Sequence, residues 1–331
     1  MESIKNRRQF LKTSALGATV AYLGTTSILG ASPEGKSRIV RVHDSRMLDS
    51  SRVIDKDAVK PVISRVLTEL TGTGSDRDAW MKIFPGLKSS DVIGFKVNCI
   101  NRHLSSHPEV VLPLVDSLVT SLDVNPNNII IWDRTSRELG RAGYELNTGS
   151  EGIRVMGTKE DVGYDDERLV EVNTGETVKP SKILSRMCDY LVNVPVLKDH
   201  ERSGVTISMK NHYGSIDNPR GCHGGNCNPY IANINNDPLV REKTKLIFCD
   251  AIEGIYEGGP GGTPQWVQNE LMAAFDPVAF DYVCLNIIEK KRKENGLPYI
   301  ASMAKFIQTG ADLGLGTNDI NKIEMKQINR A

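Results

Sequence analysis

The chain has 331 residues, of which 41 are Lys or Arg and 41 are Asp or Glu, and 39% of its residues are hydrophobic. A chain of this length buries a large core without needing disulfide or metal staples. The balanced charge lacks the basic excess of a nucleic-acid-binding protein, and the short basic run Lys290–Lys293 is interpreted as a solvated helix end, so we expect no nucleic-acid partner.

The N-terminal segment has the features of an export signal. Arg7-Arg8 precede a weakly apolar run, Ala15 to Leu29, and the small residues Gly30 and Ala31 follow this run. Adjacent arginines ahead of such a run resemble the twin-arginine signal, although Asn6 stands where that signal usually has Ser or Thr. The run is also shorter and more polar than a membrane span of roughly 20 apolar residues. We therefore predict that residues 1–31 are a signal peptide that is removed after export.

This signal also predicts a location and a partner. The twin-arginine translocase moves folded proteins and is the expected partner during export. Without residues 1–31 the chain has 37 basic and 40 acidic side chains. There is no cysteine near the cleavage point to which a lipid anchor would be attached. We predict a protein of the periplasm, or of the outer face of the cytoplasmic membrane, with no stable membrane anchor after cleavage.

Residues 32–331 alternate strand-like apolar runs with segments of helical period, which is typical of an α/β domain. The predicted strands are Arg38–Val42, Val92–Val97, Asn128–Trp132, Gly152–Met156, Tyr190–Val194 and Lys245–Cys249. One predicted helix begins at a capping box of Ser106 and Glu109, and another begins at the cap Asp276. We predict a single α/β domain with a mainly parallel sheet, helices on both faces, and long functional loops at the carboxyl ends of the strands.

Polar side chains follow several of the predicted strands, where open parallel sheets bind their ligands. The predicted catalytic residues are Lys96, Lys198, Lys210 and Asp250. The predicted ligand-binding residues are Asn98, Asp133, Arg134 and Asn211. The basic members of this set are suited to hold a small anionic ligand through charge-assisted hydrogen bonds.

Four imidazole or thiol side chains lie close together in the sequence. We predict His200, His212, His223 and Cys227 as ligands of a single transition metal ion, Zn or Fe, because both metals bind such groups. The spacing contains no paired CxxC, so a disulfide between Cys222 and Cys227, or two free thiols, is the alternative for this loop.

Two further features are interpreted as structural. The glycine-rich segment Gly258–Thr263 has neither a P-loop nor a dinucleotide-binding pattern, so it is predicted to be a mobile loop without a ligand. The alternative is a close approach of its backbone to an anion. His43, His103 and His107 are interpreted as structural residues, because an isolated histidine is more often structural than catalytic.

Several segments occur in an order that resembles a known family. They are Gly94–Asn98, Leu191–His200, Val205–Ile216, Asp250 with the later Gly-Gly-Pro, Asp276–Ala279 with Asp281, and Gly314–Gly316. Residues 38–325 thereby resemble the uncharacterised family called domain of unknown function 362, which implies a fold but no reaction. Many relatives carry a ferredoxin-type iron–sulfur module. This chain lacks a CxxCxxC run, so we expect no cluster of that type.

Three functions remain open at this point. The favoured one is an exported metal- or cofactor-dependent enzyme, of redox type, that acts on an anionic small molecule. The second is a metal-free periplasmic binding protein or transferase for a phosphorylated or carboxylated small molecule. The third is a non-catalytic maturation factor, in which the predicted site residues serve the fold.

Overall fold

The computed structural model describes residues 35–330. The predicted signal peptide, residues 1–31, lies outside this range. Within the described range, no helix combines the length and the apolar character that crossing a bilayer requires.

A large, mostly parallel sheet forms the centre of the protein. The strands are β1 (Ser37–Asp44), β2 (Ile93–Lys96), β3 (Ile129–Asp133), β4 (Arg154–Gly157), β5 (Val170–Asn173), β6 (Glu176–Val178), β7 (Tyr190–Asn193), β8 (Val196–His200), β9 (Gly204–Thr206), β10 (Thr244–Ile255), β11 (Trp266–Ala274) and β12 (Ile323–Arg330). Ten of them form the sheet in the order β12-β1-β11-β10-β7-β2-β3-β4, with β8 paired to β10 and β9 to β8. The part from β10 to β4 is parallel, whereas β11 is antiparallel to both of its neighbours.

Helices cover both faces of this sheet. They are α1 (Lys56–Thr71), α2 (Asp76–Ile83), α3 (Pro108–Leu122), α4 (Ser136–Arg141), α5 (Ser208–Asn211), α6 (Tyr230–Asn236), α7 (Pro238–Arg241), α8 (Pro277–Glu294) and α9 (Phe306–Asp312). Successive strand residues point to opposite faces. Ile131 therefore packs in the core formed with α1, α2 and α3, and Trp132 packs in the core formed with α6, α8 and α9.

The predicted α/β architecture is confirmed. The six predicted strands correspond to β1, β2, β3, β4, β7 and β10, with ends that agree closely except that β10 continues to Ile255. These strands were recognisable because strands buried on both faces are nearly continuous apolar runs. The cap Asp276 is also confirmed, since its Oδ1 accepts the Ala279 N–H at 2.8 Å.

The predicted capping box at the start of α3 is wrong. His107 is the N-cap residue, and its side chain makes no capping hydrogen bond. Ser106 is buried, and its hydroxyl donates to Val194 O at 2.6 Å and accepts from Asn98 N at 2.9 Å. Long-range bonds to the strand ends thus replace the local cap, and they fix the start of α3 against the sheet.

Candidate functional site

A cavity of about 330 Å³ lies at the carboxyl ends of β2, β3 and β8. Its other walls come from the chain between β8 and α6. Most of the predicted catalytic and ligand-binding residues line it, together with two of the predicted metal ligands: Asn98, Asp133, Arg134, Lys210, Asn211, His200 and His223. The position agrees with the rule that open α/β sheets bind ligands beyond the carboxyl ends of their strands.

A buried ion pair forms the floor of the cavity. Lys96 is completely buried, and its ammonium donates to Asp133 Oδ1 at 2.6 Å, Val97 O at 2.7 Å and Asn211 Oδ1 at 3.4 Å. Asp133 also accepts two backbone N–H groups, from Cys99 at 2.6 Å and from the residue that follows it at 2.8 Å. Each of the three ammonium donors therefore has an acceptor within the protein.

Asparagine side chains connect this ion pair to Lys198. Asn211 Oδ1 accepts from Asn98 Nδ2 at 3.0 Å, and its Nδ2 donates to Asn193 Oδ1 at 2.7 Å. Asn98 Oδ1 in turn accepts from Lys198 Nζ at 2.7 Å. Lys198 is completely buried, and this burial lowers its pKa to about 8. The network joins the ends of β2, β7 and β8 to α5.

Lys210 has a different environment in the cavity wall. Its Nζ lies 3.6 Å from the centroid of the Tyr213 ring and 3.4 Å from His223 Nε2, and Cys227 is a further neighbour. Burial lowers the pKa of Lys210 to about 8. An amine in this pKa range exchanges its proton near neutral pH, which suits acid–base or nucleophilic chemistry.

The hydrogen bonds of the two cavity histidines determine their tautomers. His200 Nδ1 accepts the Arg202 N–H at 3.0 Å, so its ring proton lies on Nε2. His223 Nδ1 lies 2.7 Å from Pro219 O and must donate to it, so His223 Nε2 is an acceptor. Burial lowers the pKa of His200 to about 2 and also lowers that of His223. Both rings are therefore neutral at pH 7.

Two residues of the cavity lining each carry a buried polar atom that lacks a hydrogen-bond partner. Arg134 Nε and Thr206 Oγ1 are both buried, and neither has an acceptor or donor within the protein. The Thr206 side chain belongs to a residue that is only 5% exposed. Buried polar groups normally have partners, so these two atoms are exceptions. The Arg134 side chain does form a hydrogen bond with Tyr164.

Comparison with known proteins identifies the family. The model of the family described as a domain of unknown function (DUF362) matches residues 93–286, which is more than half of the chain. The chain belongs to the DUF362 family. A comparison with curated proteins found no match. Among solved structures, the chain is similar to a structural-genomics crystal structure of a protein from Thermotoga maritima, with 12% identity and a TM-score of 0.34. The similarity covers 78% of this chain and 59% of that protein.

The four predicted metal ligands of this DUF362 protein do not converge. The rings of His200 and His223 stack with centroids 5.6 Å apart, whereas His212 lines a separate cavity. Residues two apart on a helical turn point to nearly opposite sides, so His212 cannot face the same cavity as Lys210. Among residues 35–330, no three His, Cys, Asp or Glu side chains are arranged to hold a metal ion. The predicted Zn or Fe centre is therefore not formed by these side chains.

The alternative of free thiols holds for the loop between β9 and α6. Cys222 and Cys227 are both free and buried. Burial raises the pKa of Cys222 to about 11, which keeps this side chain in the thiol form. A thiol is a poor nucleophile and a poor metal ligand compared with a thiolate.

Asp250, a predicted catalytic residue, does not line this cavity. It is completely buried, and its Oδ2 accepts the His107 N–H at 2.9 Å and lies 2.6 Å from His107 Nδ1. Burial opposes protonation of His107, but the charge and the hydrogen bond of Asp250, together with the charges of Glu253 and Glu109, outweigh it and raise the pKa of this histidine. The pair connects β10 to the start of α3, so His107 has a specific partner that its sequence neighbours did not indicate.

The glycine-rich segment Gly258–Thr263 is held against β8. Gly259 N–H donates to Asp199 Oδ1 at 2.7 Å, and a Cβ at Gly259 would lie only 2.1 Å from Asp199 O. Asn101 Nδ2 donates to Gly262 O at 2.7 Å. Burial raises the pKa of Asp199 to about 6. The glycines here permit close packing on the cavity rim, to which Pro260 contributes.

Sequence reasoning missed several cavity residues. They are Thr206, Tyr213, Arg202 and Arg220, among others. Arg220 lies in the long Asn- and Gly-rich connection where functional loops were expected, so its position was a usable signal. Thr206 gave none, because a threonine in an apolar strand is an ordinary strand residue.

Proposed function

We propose that the protein binds a small molecule with a phosphate or carboxylate group in this cavity and acts on it as an enzyme. The observation that supports this most is that two residues of the cavity lining, Arg134 and Thr206, each carry a buried polar atom without a hydrogen-bond partner. A buried polar group without a partner costs about 1–3 kcal/mol. Ligand oxygens would supply the missing partners, and anionic oxygens are the best acceptors for a guanidinium group.

The charge around the cavity also favours an anion. The basic residues that line it are Arg134, Arg202, Lys210 and Arg220. The buried acid in the lining, Asp133, is already paired with Lys96. Glu138 and Glu201 offset part of the remaining positive charge. The basic side chains come from separate chain segments, so the fold itself brings them together.

Catalysis is proposed because two neighbouring groups can exchange a proton. The pKa of Lys210 is about 8, and the acceptor His223 Nε2 lies 3.4 Å from its amine. General acid–base groups work best when their pKa lies near the working pH. The metal-dependent redox enzyme that the sequence favoured has less support, because among residues 35–330 no three of its donor side chains are arranged to hold a metal ion.

The anion site is tested by calorimetric titration with inorganic phosphate, glycolate and glycerol 3-phosphate at constant ionic strength. We expect at least one of them to bind, and Arg134→Met to weaken that binding by about ten- to a hundredfold, as for a hydrogen bond to a charged group. Lys293→Met is the matched control, because Lys293 is exposed at the end of α8 and does not line the cavity.

The outcomes of this titration are distinct. Selective weakening by Arg134→Met supports the proposal. Absence of binding for all three anions, or an equal loss in Arg134→Met and Lys293→Met, would overturn it, since an equal loss indicates only general electrostatic attraction.

We also propose export by the twin-arginine translocase to the periplasm, on the strength of Arg7-Arg8 and the apolar run that follows. Replacement of both arginines by lysine keeps the charge but removes the paired guanidinium groups. We expect the variant to stay in the cytoplasm of a bacterial host, as measured by cell fractionation. Equal periplasmic recovery of variant and parent would show that another route is used.

A further inference from the structure

Three lysine amines lie near the floor and wall of the cavity, and only one of them faces the space where a ligand would sit. Lys96 is paired with Asp133, and Lys198 donates to Asn98. Both of these lysines are completely buried, and neither lines the cavity. Lys210 does line it.

The neighbours of the Lys210 amine leave it chemically available. They are the face of the Tyr213 ring, His223 Nε2 and the Cys227 side chain, none of which is a carboxylate. A lysine whose task is to hold an anion or to support the fold needs no proton acceptor beside it. The His223 acceptor, 3.4 Å away and oriented by Pro219 O, is the arrangement that a nucleophilic amine requires.

We propose that Lys210 is the nucleophile of an enzyme whose substrate is an aldehyde or ketone that also carries a carboxylate or phosphate group, with which it forms an imine. This inference rests on the proposed function, because Arg134, Thr206 and Lys210 line the same cavity, so a substrate whose anionic group is held there has its carbonyl group in the space that Lys210 borders. Such positioning converts a bimolecular addition into an effectively intramolecular one.

The step balances without an oxidant, a reductant or another reactant. The uncharged Lys210 nitrogen attacks the carbonyl carbon, and the C=O π electrons move to oxygen. His223 Nε2 accepts the proton released from nitrogen, and this proton reaches the oxygen to give a carbinolamine. A second proton from the same nitrogen then leaves with the hydroxyl group as water, and the C=N bond forms. The net change is amine plus carbonyl to imine plus water.

The experiment traps the imine in the intact protein. Glyoxylate and pyruvate are the carbonyl probes, sodium cyanoborohydride reduces any imine to a secondary amine, and peptide mass spectrometry locates the adduct. We expect about tenfold or more adduct at Lys210 than at Lys198 or Lys293, because only Lys210 meets a bound carbonyl. Glycolate and lactate, which lack the carbonyl, should compete with the probes and form no adduct.

The comparison of the three lysines within one protein sample needs no variant, so a folding defect cannot mimic the result. Lys198 is the internal control for burial, because burial also lowers its pKa to about 8. Lys293 is the control for ordinary surface reactivity.

The outcomes separate this inference from the function on which it rests. Enrichment at Lys210 that glycolate suppresses supports the imine. Binding of phosphate or glycolate without enrichment at Lys210 would overturn the imine and leave the anion site intact. Failure of both the anion titration and the trapping would remove the proposed function as well.

Discussion

The floor and the wall of the cavity are built from similar polar residues but differ in whether their hydrogen bonds are complete. We call Lys96, Asn98, Asp133, Asn193, Lys198 and Asn211 the floor network, and Arg134, Thr206 and Lys210 the wall set. In the floor network the Lys96 ammonium has three acceptors, and Asp133 has three donors. In the wall set, Arg134 Nε and Thr206 Oγ1 have none.

In the function proposed above, this difference separates the polar residues that serve the fold from those that bind the ligand. A satisfied buried network rigidifies the strand ends and specifies one arrangement of them. Partnerless donors beside a cavity have the opposite property, since they cost stability until a ligand arrives. A lysine at the end of a strand is therefore not by itself a catalytic group, and its neighbours decide its role.

The largest effect is expected from a break in the floor network. Asp133→Asn leaves the Lys96 ammonium buried without its counter-charge, although the shape of the side chain hardly changes. Removal of one partner from a buried ion pair typically costs about 3–5 kcal/mol. We expect a loss of this size in the free energy of unfolding, measured by urea denaturation.

The same substitution at a surface ion pair is the control for Asp133→Asn. Asp57 pairs with Lys60 at 3.0 Å on an exposed part of α1, so Asp57→Asn should change stability only marginally. If Asp133→Asn also changes the free energy of unfolding only marginally, the floor network does not stabilise the fold.

A second, smaller effect concerns Asp199, which lies in β8 and accepts a hydrogen bond from the glycine-rich segment. Burial raises its pKa from 3.8 to about 6, while the charge of Arg292 acts in the opposite direction and that of Glu257 adds to the rise. The unfolded chain releases this proton near pH 3.8 and the folded protein near pH 6. Stability from this group is thus full below pH 3.8 and is lost as the pH rises to 6.

Asp199→Asn should remove this contribution to the pH dependence. The parent protein is expected to lose up to about 3 kcal/mol more than the variant between pH 4 and pH 7, as a two-unit shift implies. Urea denaturation at a series of pH values measures the difference, and other carboxylates cancel in the comparison. Parallel stability curves for parent and variant would show that the Asp199 proton is not linked to folding.

Local sequence signals predicted the sheet and the cavity edge well. Strands buried on both faces are apolar runs, and Lys96, Asn98 and Asp133 lie at the carboxyl ends of two of them, where open sheets bind ligands, so the position of the cavity could be inferred. The roles within the site could not. The sequence gives no reason to assign different roles to Lys96 and Lys210. Their three-dimensional neighbours do, because Lys96 is paired with the carboxylate of Asp133, whereas Lys210 lies beside the imidazole of His223.

The errors came from contacts between residues that are distant in the chain. Ser106 fits a capping box, but its hydroxyl binds Val194 O instead, and His107 is paired with Asp250 across the domain. His212 is only two residues from Lys210 in the sequence, but it faces another cavity because two residues span more than half a helical turn. For Ser106 and His107, spacing along the chain did not contain this information.

The smallest expected effect is also the most direct test of the contrast between floor and wall. Thr206→Val replaces a partnerless buried hydroxyl with a methyl group of similar shape, and both residues suit a strand. Removal of an unsatisfied polar atom should raise the free energy of unfolding by about 1 kcal/mol in the absence of ligand. The same change should weaken anion binding, because one donor to the ligand is lost.

Thr158→Val is the matched control, since the Thr158 hydroxyl lies 2.7 Å from Ser181 Oγ and the residue is completely buried. There the substitution leaves a partner unsatisfied, so stability should fall while anion binding stays unchanged. Urea denaturation and calorimetry on the same proteins measure both effects. If the free energy of unfolding rises in Thr206→Val and falls in Thr158→Val, and only Thr206→Val weakens anion binding, the Thr206 hydroxyl binds the ligand. A loss of stability in Thr206→Val would mean that this hydroxyl already has a partner in solution, and the argument from incomplete hydrogen bonds would then rest on Arg134 alone.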